Sequence, residues 1–211
     1  MWVGKYICPH AIRDNKHCNL SKNAPYPHFF ANYRQKGIMP NANKNKGSAY
    51  ERAVAKFLTD TYHDSFIRTP NSGAYIGGTN QHRTSYLSTN QIQSFKGDIT
   101  PPNDWKYFNA ECKAYADFPF HTLVQGKSIP LLDKWIQQTL EVASSYDVNI
   151  IFLKVNRKGE YVIFQNHVGF INMGVPYKYH RREWLVTSQE NFFKMNTNRL
   201  KNLSVNGTTV F

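Results

Sequence analysis

Three residues in the middle of the chain have types and a spacing that could do chemistry on a phosphate. Asp98 stands in Gly97-Asp98-Ile99-Thr100, and Glu111 and Lys113 stand in Ala110-Glu111-Cys112-Lys113. Two carboxylates that leave positions open to water suit a hard divalent ion such as Mg2+ or Mn2+. Such an ion activates water and stabilises charge on a phosphate being transferred. If the second segment is a strand, Lys113 shares a face with Glu111, because residues i and i+2 project to the same side. Its ammonium would then orient the attacking water or offset phosphate charge. Cys112 would point to the other face and offer at most its backbone carbonyl. The bare triplet is weak on its own, and an ion pair across two strands explains it more simply.

The surrounding sequence predicts the elements that would have to hold these side chains. Ser48-Ala-Tyr-Glu51 has the form of a capping box, and Tyr50, Val54, Phe57 and Leu58 follow at helical spacing, predicting a helix over 49–62. "SFIRT" reads as a short strand, broken by "PNSGAYIGG". Residues 74–94 are polar without a clear period and read as a long loop or a hairpin insertion. "KGDIT" and "YFNAECKAY" are strand candidates joined by the turn-rich "PPND". Leu132, Trp135, Ile136, Thr139, Leu140 and Ala143 mark a second amphipathic helix. "VNIIFLKVN" and "GEYVIFQN" flank Arg157-Lys158-Gly159 as a hairpin. Thr187-Ser-Gln-Glu190 reads as the capping box of a last helix. This order predicts an α/β fold with a central mixed sheet flanked by helices. It divides the chain into an irregular basic N-terminal extension (1–45), a core (46–165) and a C-terminal extension packed on the core (166–211).

Charge narrows the partner. Over 211 residues, 26 Lys plus Arg stand against 14 Asp plus Glu, a net charge of +12. On a globular chain this excess points to a polyanion, usually nucleic acid or a membrane surface. No basic amphipathic helix, lipidation signal or apolar run of membrane-spanning length supports the membrane. Three cysteines give no disulfide framework, and no secretory leader is seen, which places the expected protein inside a cell. Cytoplasm or nucleoid are the expected sites, and a viral or phage origin is compatible. Cys8, His10, His17 and Cys18 could be zinc ligands, but their spacing matches no usual zinc knuckle or finger and ordinary packing explains them as well.

The triplet in its context resembles the PD-(D/E)xK nuclease superfamily, with Gly97 where a proline often stands. "KGSAYERAVAKFL", then "IRTPNSG", then "GDI" and "ECK" are most similar to the archaeal Hjc type of Holliday junction resolvase. The resemblance implies a restriction-endonuclease-like core and metal-dependent DNA cleavage, with Mg2+ or Mn2+ on Asp98 and Glu111. It makes Glu51 a helix acid near the metal, Ser72 a loop serine near the scissile phosphate and Lys113 the catalytic lysine. Arg52 and Arg68 become DNA-binding basics. It also implies a branched DNA substrate and a homodimer. Some 25 residues between Ser72 and Asp98, and the two extensions, depart from that family.

Plainer readings stand beside these. Glu51 is fully explained as the N3 acid of a capping box, and one conformation cannot serve both cap and metal. Ser72 suits a turn in Asn-Ser-Gly. Arg68 could be a solvated strand end. Gln138, at the edge of the second helix's apolar face, is either a boundary residue or a contributor to the site. A restriction- or repair-type nuclease acting on other DNA, and a non-catalytic nucleic-acid-binding module, remain the alternatives to a junction-cleaving enzyme.

Overall fold

A computed structural model describes residues 42–70 and 78–208. The cluster Cys8, His10, His17 and Cys18, and the loop serine Ser72, lie outside the described residues.

The first helix, α1 (Ala42–Tyr62), begins seven residues earlier than the capping-box reading places it. Ala42, Lys44 and Lys46 are good helix formers, and no proline follows Pro40 to stop them. Ser48 is therefore inside the helix and caps nothing. Tyr50, Val54 and Leu58 form the buried face.

A two-residue strand, β1 (Ile67–Arg68), pairs antiparallel with β2 (Ile99–Thr100). Between them, the described part of the expected loop or hairpin, from residue 78 on, is largely helical. A 3-10 segment spans Gly78–Tyr86, and α2 (Thr89–Phe95) follows. Ser88 caps α2 in a reciprocal capping box with Gln91, a signal hidden in a polar stretch that lacks an apolar period.

The central sheet has five strands. They are β3 (Phe108–Tyr115), β4 (Val148–Val155), β5 (Gly159–Gln165), β6 (Val175–Tyr179) and β7 (Arg182–Ser188), in the order β3-β4-β5-β7-β6. β3 and β4 are parallel, and the other neighbours are antiparallel. The β3-to-β4 crossover carries the short α3 (Phe120–Val124) and α4 (Pro130–Glu141), as a parallel pair requires. β4 is apolar on both faces, with Val148, Ile150, Ile151, Phe152, Leu153 and Val155 all buried, which marks a strand covered on both sides.

Alternation splits the core in two. Ile150, Phe152, Val162 and Phe164 pack under α1 and the last helix, α5 (Gln189–Asn206), with Leu58, Phe192 and Leu200. Ile151, Leu153 and Ile163 face the other way, onto Leu132, Trp135 and Ile136 of α4. The segment beyond Gln165, read from the sequence as an extension packed on the core, supplies β6 and β7 of the sheet itself. Its hairpin tip at His180–Arg181 is charged, which masked the alternation around it. The N-cap of α5 is Ser188, accepting from the Asn191 amide, one residue later than expected.

Candidate active site

β3 is an edge strand of the sheet, and Asp98 docks on its open side. The Asp98 amide donates to the Ala110 carbonyl (2.8 Å), and its carboxylate Oδ2 accepts from the Cys112 amide (2.8 Å). The Asp98 carbonyl in turn accepts from Thr69, just past β1. Asp98 is thus held from both sides and is 7% exposed. This approach requires Gly97. Its φ is +65°, and a Cβ there would collide with the Ala110 carbonyl. Lys96, just before it, is buried. Its Nζ reaches Asp147 Oδ2 at 2.6 Å, tying the start of the Asp98 segment to the turn before β4. The Asp147 side chain is fully buried and also accepts from the Ser144 amide. Charge pairs this deep are held by geometry and hydrogen bonds rather than by net attraction.

Glu111 and Lys113 project from β3 to the α4 side. Their registers oppose Ile151 and Leu153, both of the core under α4, while Cys112 opposes Phe152 and packs on the α1 side. Lys113 Nζ donates to Glu111 Oε2 at 2.7 Å and to Gln138 Oε1 of α4 at 3.0 Å. Glu111 is 2% exposed. Burial first, and then the nearby Asp98 carboxylate, push its carboxyl from the ordinary 4.5 up to about 7, against the pull of Lys113. Burial alone would lower the Lys113 ammonium, but the Glu111 charge and hydrogen bond, with Asp98, outweigh it and raise it. Cys112 is held as a neutral thiol, raised by burial and by the charges of Asp98, Glu111 and Glu51. Two buried acids, one lysine and one glutamine therefore meet where the edge of the sheet is open.

The other sequence candidates fall around this point. Glu51 neither caps α1 nor joins the two acids; its Oε2 accepts from Arg68 Nε in a part-buried ion pair. Arg68 opposes Ile99 in the β1–β2 ladder, one residue from Asp98. Arg52 is exposed on α1. Gln138, open between two readings in the sequence, touches Lys113 directly. Lys96, Asp147 and Tyr115 were not singled out by the sequence. Adjacency to Gly97-Asp98 could have flagged Lys96, and the i+2 step from Lys113 could have flagged Tyr115. Among the described residues, no three His, Cys, Asp or Glu side chains converge as a metal cluster. Asp98 and Glu111 nonetheless fit a hard divalent ion. Both offer oxygen donors, and burial, then the neighbouring Asp98, push Glu111 toward protonation despite Lys113. Mg2+ is commonly held by one or two carboxylates, with water and substrate phosphate filling the rest.

Among the described residues, no helix is long and apolar enough to cross a membrane. A family model described as "Phage putative PDDEXK endonuclease" matches residues 42–210, most of the chain and all of the elements above. No curated protein and no solved structure matches the chain.

Proposed function

Because the chain belongs to this phage PDDEXK endonuclease family, we propose that it is a divalent-metal-dependent endodeoxyribonuclease working at Asp98, Glu111 and Lys113. The observation that carries this reading is the meeting of the two buried carboxylates. They stand thirteen positions apart in the sequence, and the fold brings them close enough for Asp98 to push the Glu111 carboxyl upward. Two carboxylates brought together in this way suit a divalent cation.

Asp98 and Glu111 would hold Mg2+ or Mn2+. When bound, the ion would supply an acidified water and a Lewis acid for the phosphoryl oxygens. The Cys112 carbonyl is a further oxygen on the same edge, since a strand residue's N–H and C=O point to the same side and the Cys112 N–H meets Asp98. Lys113, charged and fixed between Glu111 and Gln138, would offset charge on the phosphate and orient the attacking water. Gln138 would hold the lysine to its task. Gly97, with the Lys96–Asp147 pair behind it, would keep Asp98 against β3. Glu51 and Arg68 satisfy each other in this arrangement, and Arg68 would turn to a phosphate if the pair opens.

The finer reading is cleavage of branched DNA, such as a four-way junction, by a symmetric pair of protomers. It rests on the motif order shared with junction resolvases and on the net charge of +12. Cleavage of linear duplex, tailed duplex and four-way junctions is measured with Mg2+, Mn2+ or EDTA, alongside light scattering with and without junction. Metal-dependent nicking that Asp98→Asn abolishes is expected. Cleavage by the Asp98→Asn protein at the wild-type rate would overturn the site. Equal cutting of junction and duplex, or a monomer in both states, would remove the junction reading alone.

A further inference from the structure

The face of β3 that carries Glu111 and Lys113 does not end at the lysine. Tyr115 is the next residue on that face, one step of about 6.6 Å along the strand. It is 38% exposed, so more than a third of its surface is open to solvent. One part of its ring is seated: it packs on Trp135 of α4, with centroids 4.8 Å apart. The same helix supplies Gln138 to Lys113. The ring is therefore oriented by the helix that orients the catalytic lysine, with its remaining surface open beside the site.

A basic turn lies at the end of this strand. The Asn156 amide donates to the Tyr115 carbonyl at 3.0 Å, so the Arg157-Lys158 turn between β4 and β5 closes directly over the end of β3. Lys158 is paired with the exposed Asp117 (2.6 Å), and Arg157 is exposed. Among the described residues, no acid is paired with Arg157. The sequence presents this turn as the connection of a hairpin; the fold sets it at the end of β3.

We infer that Tyr115 and Arg157 form a path for single-stranded DNA leading out of the active site. An unpaired base next to the cut stacks on Tyr115, and a following phosphate lies against Arg157. Open aromatic rings interleaved with basic groups bind single strands in this way, because every base has a stacking face and every link a charge. A duplex cannot offer this contact without unstacking a base, so the path favours DNA that is already frayed, tailed or branched at the cut. This deepens the nuclease reading and rests on it for the position of the cut.

The test reads binding separately from cleavage. Full-length protein in EDTA is titrated by fluorescence anisotropy with a labelled duplex bearing one of two tails of equal charge: ordinary nucleotides, or abasic sugar-phosphates. Wild type is expected to bind the ordinary tail about tenfold more tightly, the scale of one or two stacked bases. Tyr115→Phe should keep that preference. Tyr115→Ala and Tyr115→Leu should lose it; the leucine variant still covers Trp135, which guards against a packing artefact. Arg157→Ala should weaken both tails alike. The inference is overturned if wild type does not distinguish the tails, if Tyr115→Leu distinguishes them as wild type does, or if Tyr115→Phe fails to. A preference that depends on Tyr115 in a protein that cuts no DNA with Mg2+ or Mn2+ would sustain the path and sink the nuclease reading. Cutting without such a preference would do the reverse.

Discussion

Glu111→Gln should make the metal-free protein more stable at pH 8, although it removes one partner of a buried ion pair. The Glu111 carboxyl stands at about 7 in the folded chain against 4.5 in the unfolded one. The folded state therefore prefers the protonated acid. Its contribution to stability is fully present below pH 4.5 and is lost as pH rises from there through 7. At 1.36 kcal/mol per pH unit, the loss approaches about 3 kcal/mol at pH 8 and is under about 1 kcal/mol at pH 5. Glutamine keeps an acceptor for Lys113 and cannot ionise, so it escapes the loss. For a chain of this size, about 3 kcal/mol corresponds to roughly 6–12 °C in Tm.

His167 titrates in an overlapping window with the opposite sign. Burial, with the Arg182 charge beside it, lowers its imidazole to about 4, so stability falls as pH drops from 6.5 toward 4. That effect is common to both proteins and cancels in their difference. The assay is therefore the gap in Tm between Glu111→Gln and wild type, in EDTA, from pH 5 to pH 8. The gap should open with pH in favour of the variant. Mg2+ should then close it by stabilising wild type alone, because only the ionised pair holds the ion. A variant less stable than wild type at pH 8 in EDTA would show that the attraction of Lys113 exceeds the cost of burying the two acids, and would refute the reasoning.

The remaining expectations concern the supports. Lys113→Ala should cost on the order of a hundredfold or more in cleavage rate, whereas Arg157→Ala should change the salt dependence of binding by about one charge and the rate only a few-fold; equal losses in single-turnover assays would unseat Lys113. Gly97→Ala should destabilise by about 1–3 kcal/mol from the +65° φ alone, before the clash with Ala110 is counted, as read by urea unfolding. Asp147→Asn should cost about 3–5 kcal/mol, because it leaves the Lys96 ammonium buried without its counter-charge. A cost near zero would mean that Lys96 escapes to solvent.

What the sequence exposed was periodic, and what it hid was not. The alternation in "YFNAECKAY" gave β3 its two faces, and with them Glu111 and Lys113 on one side and Cys112 on the other, as the register with β4 has it. The α4 stripe and the β4–β5 hairpin were equally plain. Ser48-to-Glu51 misled because a capping box is only four residues long, and helix propensity upstream of it overrode it. The 78–95 region carried no apolar period, since its helices lie against the molecule with few buried side chains.

The pairing of Asp98 with Glu111 shows why such sites read weakly in sequence. The two acids do not sit on neighbouring strands of one ladder, which would have fixed their spacing. β2 pairs with β1, and only the Asp98 amide and carboxylate bridge to β3. A side chain docked edge-on is indifferent to how long the connecting loop is, because loop closure costs grow slowly with length. The twelve residues between Asp98 and Glu111, with Trp105 buried among them, set no ladder register between the two acids. What cannot vary is the residue that lets the two backbones touch. The constraint on this site therefore lies less in the distance between its acids than in Gly97, and an alanine there should displace Asp98 even in a protein that still folds.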